Sequence, residues 1–246
     1  MLEKSLISEN DAAELKSRYA EILQRVKAAA GDRSVRILAA TKTVSPQRIN
    51  YAVEHLGLRL IGENRVQELL SKYDALNKDS LEIHFIGRLQ TNKVKYIVDK
   101  VDMIQSVDSL RLAEEISRRC QKIGKVMDVL VEVNVGREES KGGIAVEELE
   151  EFWDAAVSLD GIRLAGIMVI PPKIDENDDP EKYFSESFQI FLDIQRKKHH
   201  NIREPFILSM GMSDSYEAAI RNGSDLVRIG SALFGRRDYP QNKSNQ

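Results

Sequence analysis

A chain of 246 residues with 42% hydrophobic and 30% charged residues has the make-up of a soluble globular protein with an ample core, and α/β barrels commonly use this length for one domain. The formal net charge of −3, with basic residues scattered and no basic arm, excludes a general attraction to nucleic acid or anionic lipid. One cysteine, Cys120, excludes an internal disulfide framework and points to the cytosol, and neither a signal peptide nor an apolar run long enough to span a bilayer is present.

In chain order, the first element is a helix within residues 1–31. Leu15, Tyr19, Ile22 and Val26 recur on one face of a 3.6-residue period, Ser8 and Asp11 resemble a capping box, and Gly31 lies just past the end. Eight short apolar segments follow, beginning near Arg36 (RILAAT), Arg59 (RLIG), Glu82 (EIHFIG), Asp102 (DMIQSV), Val126 (VMDVLVEVNV), Arg163 (RLAGIMVI), Pro205 (PFILSM) and Asp225 (DLVRIG). Helical patterns separate them. Ser45 and Pro46 open one helix, with Ile49, Ala52, Val53 and Leu56 as its stripe, and Gly57 closes it. Asp108 caps another, whose stripe Leu110, Ala113, Ile116, Cys120 and Ile123 makes Cys120 a buried thiol, and Gly124 ends it. Gly223 follows the helix from Tyr216 to Arg221. The acidic stretch Pro171 to Lys182 reads as a surface loop, and residues 237–246 as a frayed tail.

Strands alternating with helices predict parallel βαβ units, and eight of them close into a single (β/α)8 TIM barrel with an extra N-terminal helix. An open doubly wound sheet is the competing architecture, but ATKTVSP rather than a glycine-rich turn follows the first strand.

Active sites of such barrels lie at the carboxyl ends of the strands. The first strand ends in Lys42. Leu38, Ala40 and Lys42 share a face that we expect to point into the barrel, where burial favours the neutral amine that attacks an aldehyde. A strand-end lysine reaching for solvent is the open alternative. The loops after strands seven and eight commonly bind phosphate. Here they read Ser209-Met210-Gly211-Met212-Ser213 and Ile229-Gly230-Ser231-Ala232-Leu233-Phe234-Gly235, each with serine hydroxyls, a glycine and a helix start. Ordinary N-capping by Ser213 and Ser231 is the alternative. Arg228, inside an apolar strand, needs either an inward carboxylate or a ring nitrogen that accepts its hydrogen bond.

These motifs resemble the pyridoxal 5′-phosphate (PLP) homeostasis proteins (the YggS/PROSC family), which are similar to the barrel domain of alanine racemase, a type III PLP fold. The matching stretches are LAATKTVS around Lys42, IGENRVQE (Ile61 to Glu68), IHFIGRLQTNK (Ile83 to Lys93), VNVGREESKGG (Val133 to Gly143), GIMVIPP (Gly166 to Pro172), LSMGMSDSYEAAI (Leu208 to Ile220) and VRIGSALFG (Val227 to Gly235). The resemblance implies one PLP-binding domain over residues 1–246 and a Schiff base on Lys42. It also implies that Ser209, Ser213, Gly230 and Ser231 contribute to phosphate binding and that Met210 belongs to the cofactor site, with Arg228 near the pyridine nitrogen. Asn64 and His84 match positions facing the cofactor, with helix capping and a hydrogen-bonded core histidine as the respective alternatives. Lys141 matches a recurrent family lysine, read as a pocket guard or a PLP acceptor, with a solvated loop lysine as the alternative. Ser231 stands where relatives often carry threonine, and either hydroxyl serves a phosphate.

The function this implies is cytoplasmic PLP homeostasis: holding PLP, limiting free aldehyde and delivering it to apoenzymes, as a monomer without metal, nucleic acid or membrane partners. Catalytic residues are not expected, because the chain ends shortly after the eighth strand and the racemase takes an acid/base tyrosine from a second domain. A weak amino-acid racemase is the alternative. Without the family argument, a Schiff-base aldolase using Lys42 is another.

Overall fold

The structure is a computed structural model that describes residues 7–137, 142–172, 180–197 and 202–235. Lys141, the tail 237–246 and residues 173–179 of the acidic stretch lie outside the described residues. Barrel strands are β1 (Arg36–Ala40), β2 (Leu60–Glu63), β3 (Glu82–Phe85), β4 (Met103–Val107), β5 (Met127–Asn134), β6 (Ile162–Val169), β7 (Ile202–Ser209) and β8 (Leu226–Ile229). Each pairs in parallel with the next, and β8 returns to β1, so the sheet closes. A two-residue strand, Ile144–Ala145, lies beside the end of β5. All eight apolar segments of the sequence are barrel strands.

Alternation along each strand divides the apolar residues into two layers. Leu38, Leu60, Ile86, Met103, Leu130, Ala165, Met168, Ile207 and Leu226 fill the interior, with Ala40 packed against them. Ala39, Ile61, Ile83, Ile104 and Val129 face outward into the larger layer beneath the helices. Ala40, the last residue of β1, limits bulk at that strand's carboxyl end, where a ligand site belongs in this fold.

The helices are α1 (Glu9–Ala30), α2 (Pro46–Leu56), α3 (Val66–Lys72), α4 (Leu110–Lys122), α5 (Leu149–Ala156), α6 (Pro180–Arg196), α7 (Tyr216–Arg221) and α8 (Ser231–Phe234). The Asp11 N–H donates to Ser8 Oγ at the start of α1, and its buried stripe is the expected Leu15, Tyr19, Ile22 and Val26, extended by Ala30. α1 packs on α7, α8 and α2, outside the barrel. α2 has Ser45 as its N-cap and Pro46 in its first turn, and ends on Gly57 in the left-handed conformation.

α4 departs from expectation at both ends. Its N-cap is Ser109, while Asp108 sits one residue earlier and accepts the Ser109 hydroxyl at 3.3 Å. Ile123 is past the last helical residue and 51% exposed, because the turn at Gly124 carries it off the buried stripe that holds Cys120. No helix among the described residues is long and apolar enough to cross a membrane.

Candidate cofactor site at the barrel mouth

β1 ends at Ala40, and Lys42 lies in the turn that follows. Leu38 and Ala40 occupy the interior as expected. Lys42 itself is half-buried, because the chain has left the strand by then, so the desolvation expected of it is only partial. A Cβ on Gly230 would stand 3.3 Å from the Ala40 carbonyl oxygen and 3.4 Å from its Cβ. The loop after β8 thus lies against the end of β1, two residues before Lys42. A side chain at position 230 would fill that approach.

The two serine-bearing loops meet through Ser213. Its Oγ accepts the backbone N–H of Gly230 at 3.1 Å and of Ala232 at 3.2 Å. It therefore does not cap its own following helix, α7, whose N-cap is Ser215. Ser231 is the first residue of α8, after the Gly230 N-cap, and is exposed. On the other flank of β1 from the β8 loop, Asn64 follows β2. The N-cap of α3 is Arg65, which makes no side-chain cap bond, so Asn64 does not cap that helix. Its backbone is pressed against Gly87, where a Cβ would come within 2.1 Å of the Asn64 carbonyl oxygen. Ser106, on β4, donates to the Gly87 carbonyl at 2.6 Å.

Two expected site residues, Ser209 and His84, are strand residues below the mouth, and Met210 directly follows β7. Ser209 is the last residue of β7 and is fully buried; its Oγ donates to Gln105 Oε1 at 2.7 Å. Met210 packs into the outer layer, because strand alternation turns it away from the interior that Ser209 faces. His84 is fully buried, with Nε2 2.6 Å from Glu82 Oε1 and Nδ1 2.7 Å from Gln105 Nε2, so both ring nitrogens are taken. It is the hydrogen-bonded core histidine of the alternative reading.

Arg228 is also interior. One terminal nitrogen donates to the Ser209 carbonyl and to Ser209 Oγ, both at 2.9 Å, and the other to the Val169 carbonyl at 2.9 Å. No carboxylate contacts it among the described residues; Glu132 opposes its charge at longer range, while burial lowers its pKa to about 10. Burial raises the Glu132 carboxyl, and neighbouring Asp108 adds to that, against Arg228 and Arg88. Sequence reasoning missed Gln105, which joins His84 to Ser209. The available signal was a lone amide inside the apolar strand MIQSV.

The sequence pattern of the family described as "Alanine racemase, N-terminal domain" matches residues 12–238. The pyridoxal phosphate homeostasis protein of Aquifex aeolicus (strain VF5) is 45% identical over 231 residues, which cover 93% of this chain and 100% of that protein. This chain belongs to the pyridoxal phosphate homeostasis protein family.

Solved structures agree with that assignment. The member PipY of Synechococcus elongatus PCC7942, solved with PLP bound, is 28% identical, with a TM-score of 0.79 over 90% of this chain and 100% of PipY. A protein of Bifidobacterium adolescentis described as unknown is 35% identical, with a TM-score of 0.83 over 93% of this chain and 98% of its own. The closed parallel barrel is the fold expected of a homeostasis protein of this family.

Proposed function

We propose that this protein binds PLP at the barrel mouth through Lys42 and keeps it available to other proteins, as a PLP homeostasis protein. The observation that carries the reading is the junction of three segments: Gly230 against Ala40, and Ser213 bridging to Gly230 and Ala232. It puts two N–H-rich loops beside the turn that bears an amine. The names of the relatives and the PLP-bound PipY structure support the same reading.

The residues present fit the cofactor. Ser213, whose Oγ gathers the Gly230 and Ala232 N–H groups, keeps its own hydroxyl proton to donate, and with the exposed Ser231 hydroxyl at the start of α8 it makes a donor set suited to a phosphate. Asn64 follows β2, the strand beside β1, and its amide makes no hydrogen bond among the described residues. Lys42 supplies the primary amine for covalent attachment. When bound, PLP offers an aldehyde carbon to amines and a conjugated ring that can accept electrons. Arg228 uses three of its five donors within the protein and, being donor-only, cannot accept a hydrogen bond from a protonated ring nitrogen. It would hold an unprotonated ring nitrogen as an acceptor and limit the ring's electron withdrawal. Ser209 and His84 support Arg228 from below, and Met210 backs the β7 loop.

A holding role is favoured over turnover because the interior imidazole, His84, is committed at both nitrogens and so is not free to carry a substrate proton. Delivery to apoenzymes, a monomeric state and a cytosolic location complete the proposal; the free, buried Cys120 accords with a reducing compartment.

The decisive experiment is borohydride reduction of PLP-loaded protein, followed by peptide mass spectrometry. The reduced adduct is expected on the Lys42 peptide and is expected to disappear in Lys42→Ala. An equal adduct in that variant, or none in the parent, would falsify the assignment. Racemisation of alanine at roughly 1 s⁻¹ or faster, the low end of ordinary enzymes, would turn the reading to an enzyme.

A further inference from the structure

Behind the Lys42 turn lies a second buried lysine. Lys72 closes α3 and is 4% exposed. Its Nζ donates to the Thr41 carbonyl at 2.9 Å and the Val44 carbonyl at 3.2 Å, the two carbonyls that flank Lys42 and Thr43. It also pairs with Glu63 Oε1 at 2.9 Å and Glu68 Oε1 at 3.1 Å. Those carboxylates reach the same turn independently. Glu63 accepts the Thr41 hydroxyl, and Glu68 accepts the Thr43 N–H.

What they hold is strained. Thr43 has φ 64°, in the left-handed region that a β-branched residue avoids. Such a conformation persists only where the surroundings over-determine it, and here Lys72, Glu63 and Glu68 add to the Val44 N–H bond on the Thr41 carbonyl and the Thr41 bonds to the Gly62 carbonyl. The cluster is also costly. Glu63 is fully buried, and its second oxygen has no partner. A buried ion pair is poor value for stability alone, since an apolar contact of the same volume does as well. An apolar side chain could not grip two carbonyls. The cluster lies on the outer side of the barrel wall: Gly62 faces inward, where a Cβ would meet Leu38 and Ile86, so adjacent Glu63 faces α3. It therefore acts through the backbone and not by touching a ligand.

We propose that Lys72, with Glu63 and Glu68, is a positioning residue that holds the strained Thr41–Val44 turn so that the Lys42 amine is presented to the barrel mouth. The inference rests on the reading of Lys42 as the amine that carries the cofactor. The reaction it serves is a condensation: the Lys42 nitrogen bonds to an aldehyde carbon and water leaves, with no oxidation or reduction.

The test uses the full chain in three forms: the parent, the double variant Lys72→Met/Glu63→Gln, which removes both charges together, and Glu68→Leu, at a partly exposed position. Two quantities are read on each. One is the rate at which pyridoxal, which has no phosphate, and PLP become attached to Lys42, trapped with borohydride and located by mass spectrometry. The other is the affinity for pyridoxine 5′-phosphate, which has the phosphate but no aldehyde. Both variants are expected to lose about tenfold or more in attachment rate with either aldehyde, the scale of a misplaced reacting group, and to keep the parental affinity for pyridoxine 5′-phosphate. Parental rates in both variants overturn the inference, as does an affinity that falls in step with the rate. A parent that attaches neither aldehyde at Lys42 overturns the cofactor reading itself.

Discussion

His84 illustrates how burial assigns hydrogen-bond direction along a chain of side chains. Burial works against ionisation of Glu82, but its hydrogen bond with His84 and the Arg36 guanidinium outweigh that and hold its carboxyl below the usual range. Glu82 is thus an acceptor, and His84 Nε2 carries a proton. Burial also lowers the His84 pKa, against the pull of Glu82, and keeps the imidazole neutral, so Nδ1 accepts from the Gln105 amide. Gln105 Oε1 then accepts from Ser209, whose oxygen accepts from Arg228. One direction runs from the mouth to the amino end of β3. Because the folded pKa of His84 lies below the unfolded value of about 6.5, the unfolded chain binds the extra proton and stability falls as pH drops below that value. Glu82 contributes in the same sense at lower pH, its share being present above about 4.3 and lost below. Urea midpoints measured from about pH 7 to pH 5 should decline for the parent and much less for His84→Gln. Equal declines would show that His84 is not the titrating group.

At the scale of elements, capping residues set helix ends wherever the cap is local. Gly57 shows what such a cap is worth. Its backbone is left-handed, at φ 75° and ψ 20°, and an added Cβ would meet nothing within 4 Å. The cost of Gly57→Ala is therefore conformational alone, ~1–2 kcal/mol, or a fall of about 2–8 °C in a domain of this size. Calorimetry should show that fall with trapping at Lys42 unchanged; an unaltered melting temperature would mean the turn relaxes freely. Caps that depend on other segments behave differently. Ser213 serves the N–H groups of Gly230 and Ala232, across two loops, and no local pattern marks that pairing.

For the molecule as a whole, barrel closure produces two apolar layers, and groups between the helices and the wall are reached only by opening the fold. Cys120 is fully buried there, and burial raises its thiol to about 11, with Lys125 opposing weakly. A thiol reagent at neutral pH should label the native protein very slowly and the urea-unfolded protein at once. Rapid native labelling would mean that α4 opens independently of the barrel.

Much of this was legible in the sequence, because it depends on neighbours in the chain. Apolar periodicity located all eight strands, Gly57 and Gly223 marked helix ends, and the TKTVS, SMGMS and RIGS segments marked the mouth. Family motifs added the cofactor expectation. Facing and long-range pairing were decided only in three dimensions. Ser209 and Met210 are adjacent in sequence yet point to opposite layers, and only the register of β7 determines which goes where. Gln105 and Lys72 look ordinary in the sequence, since what gives each its role is a partner from another strand or turn. Periodicity is a property of the backbone and can be read from one segment. A hydrogen bond between distant residues exists only once closure of the barrel has brought them together.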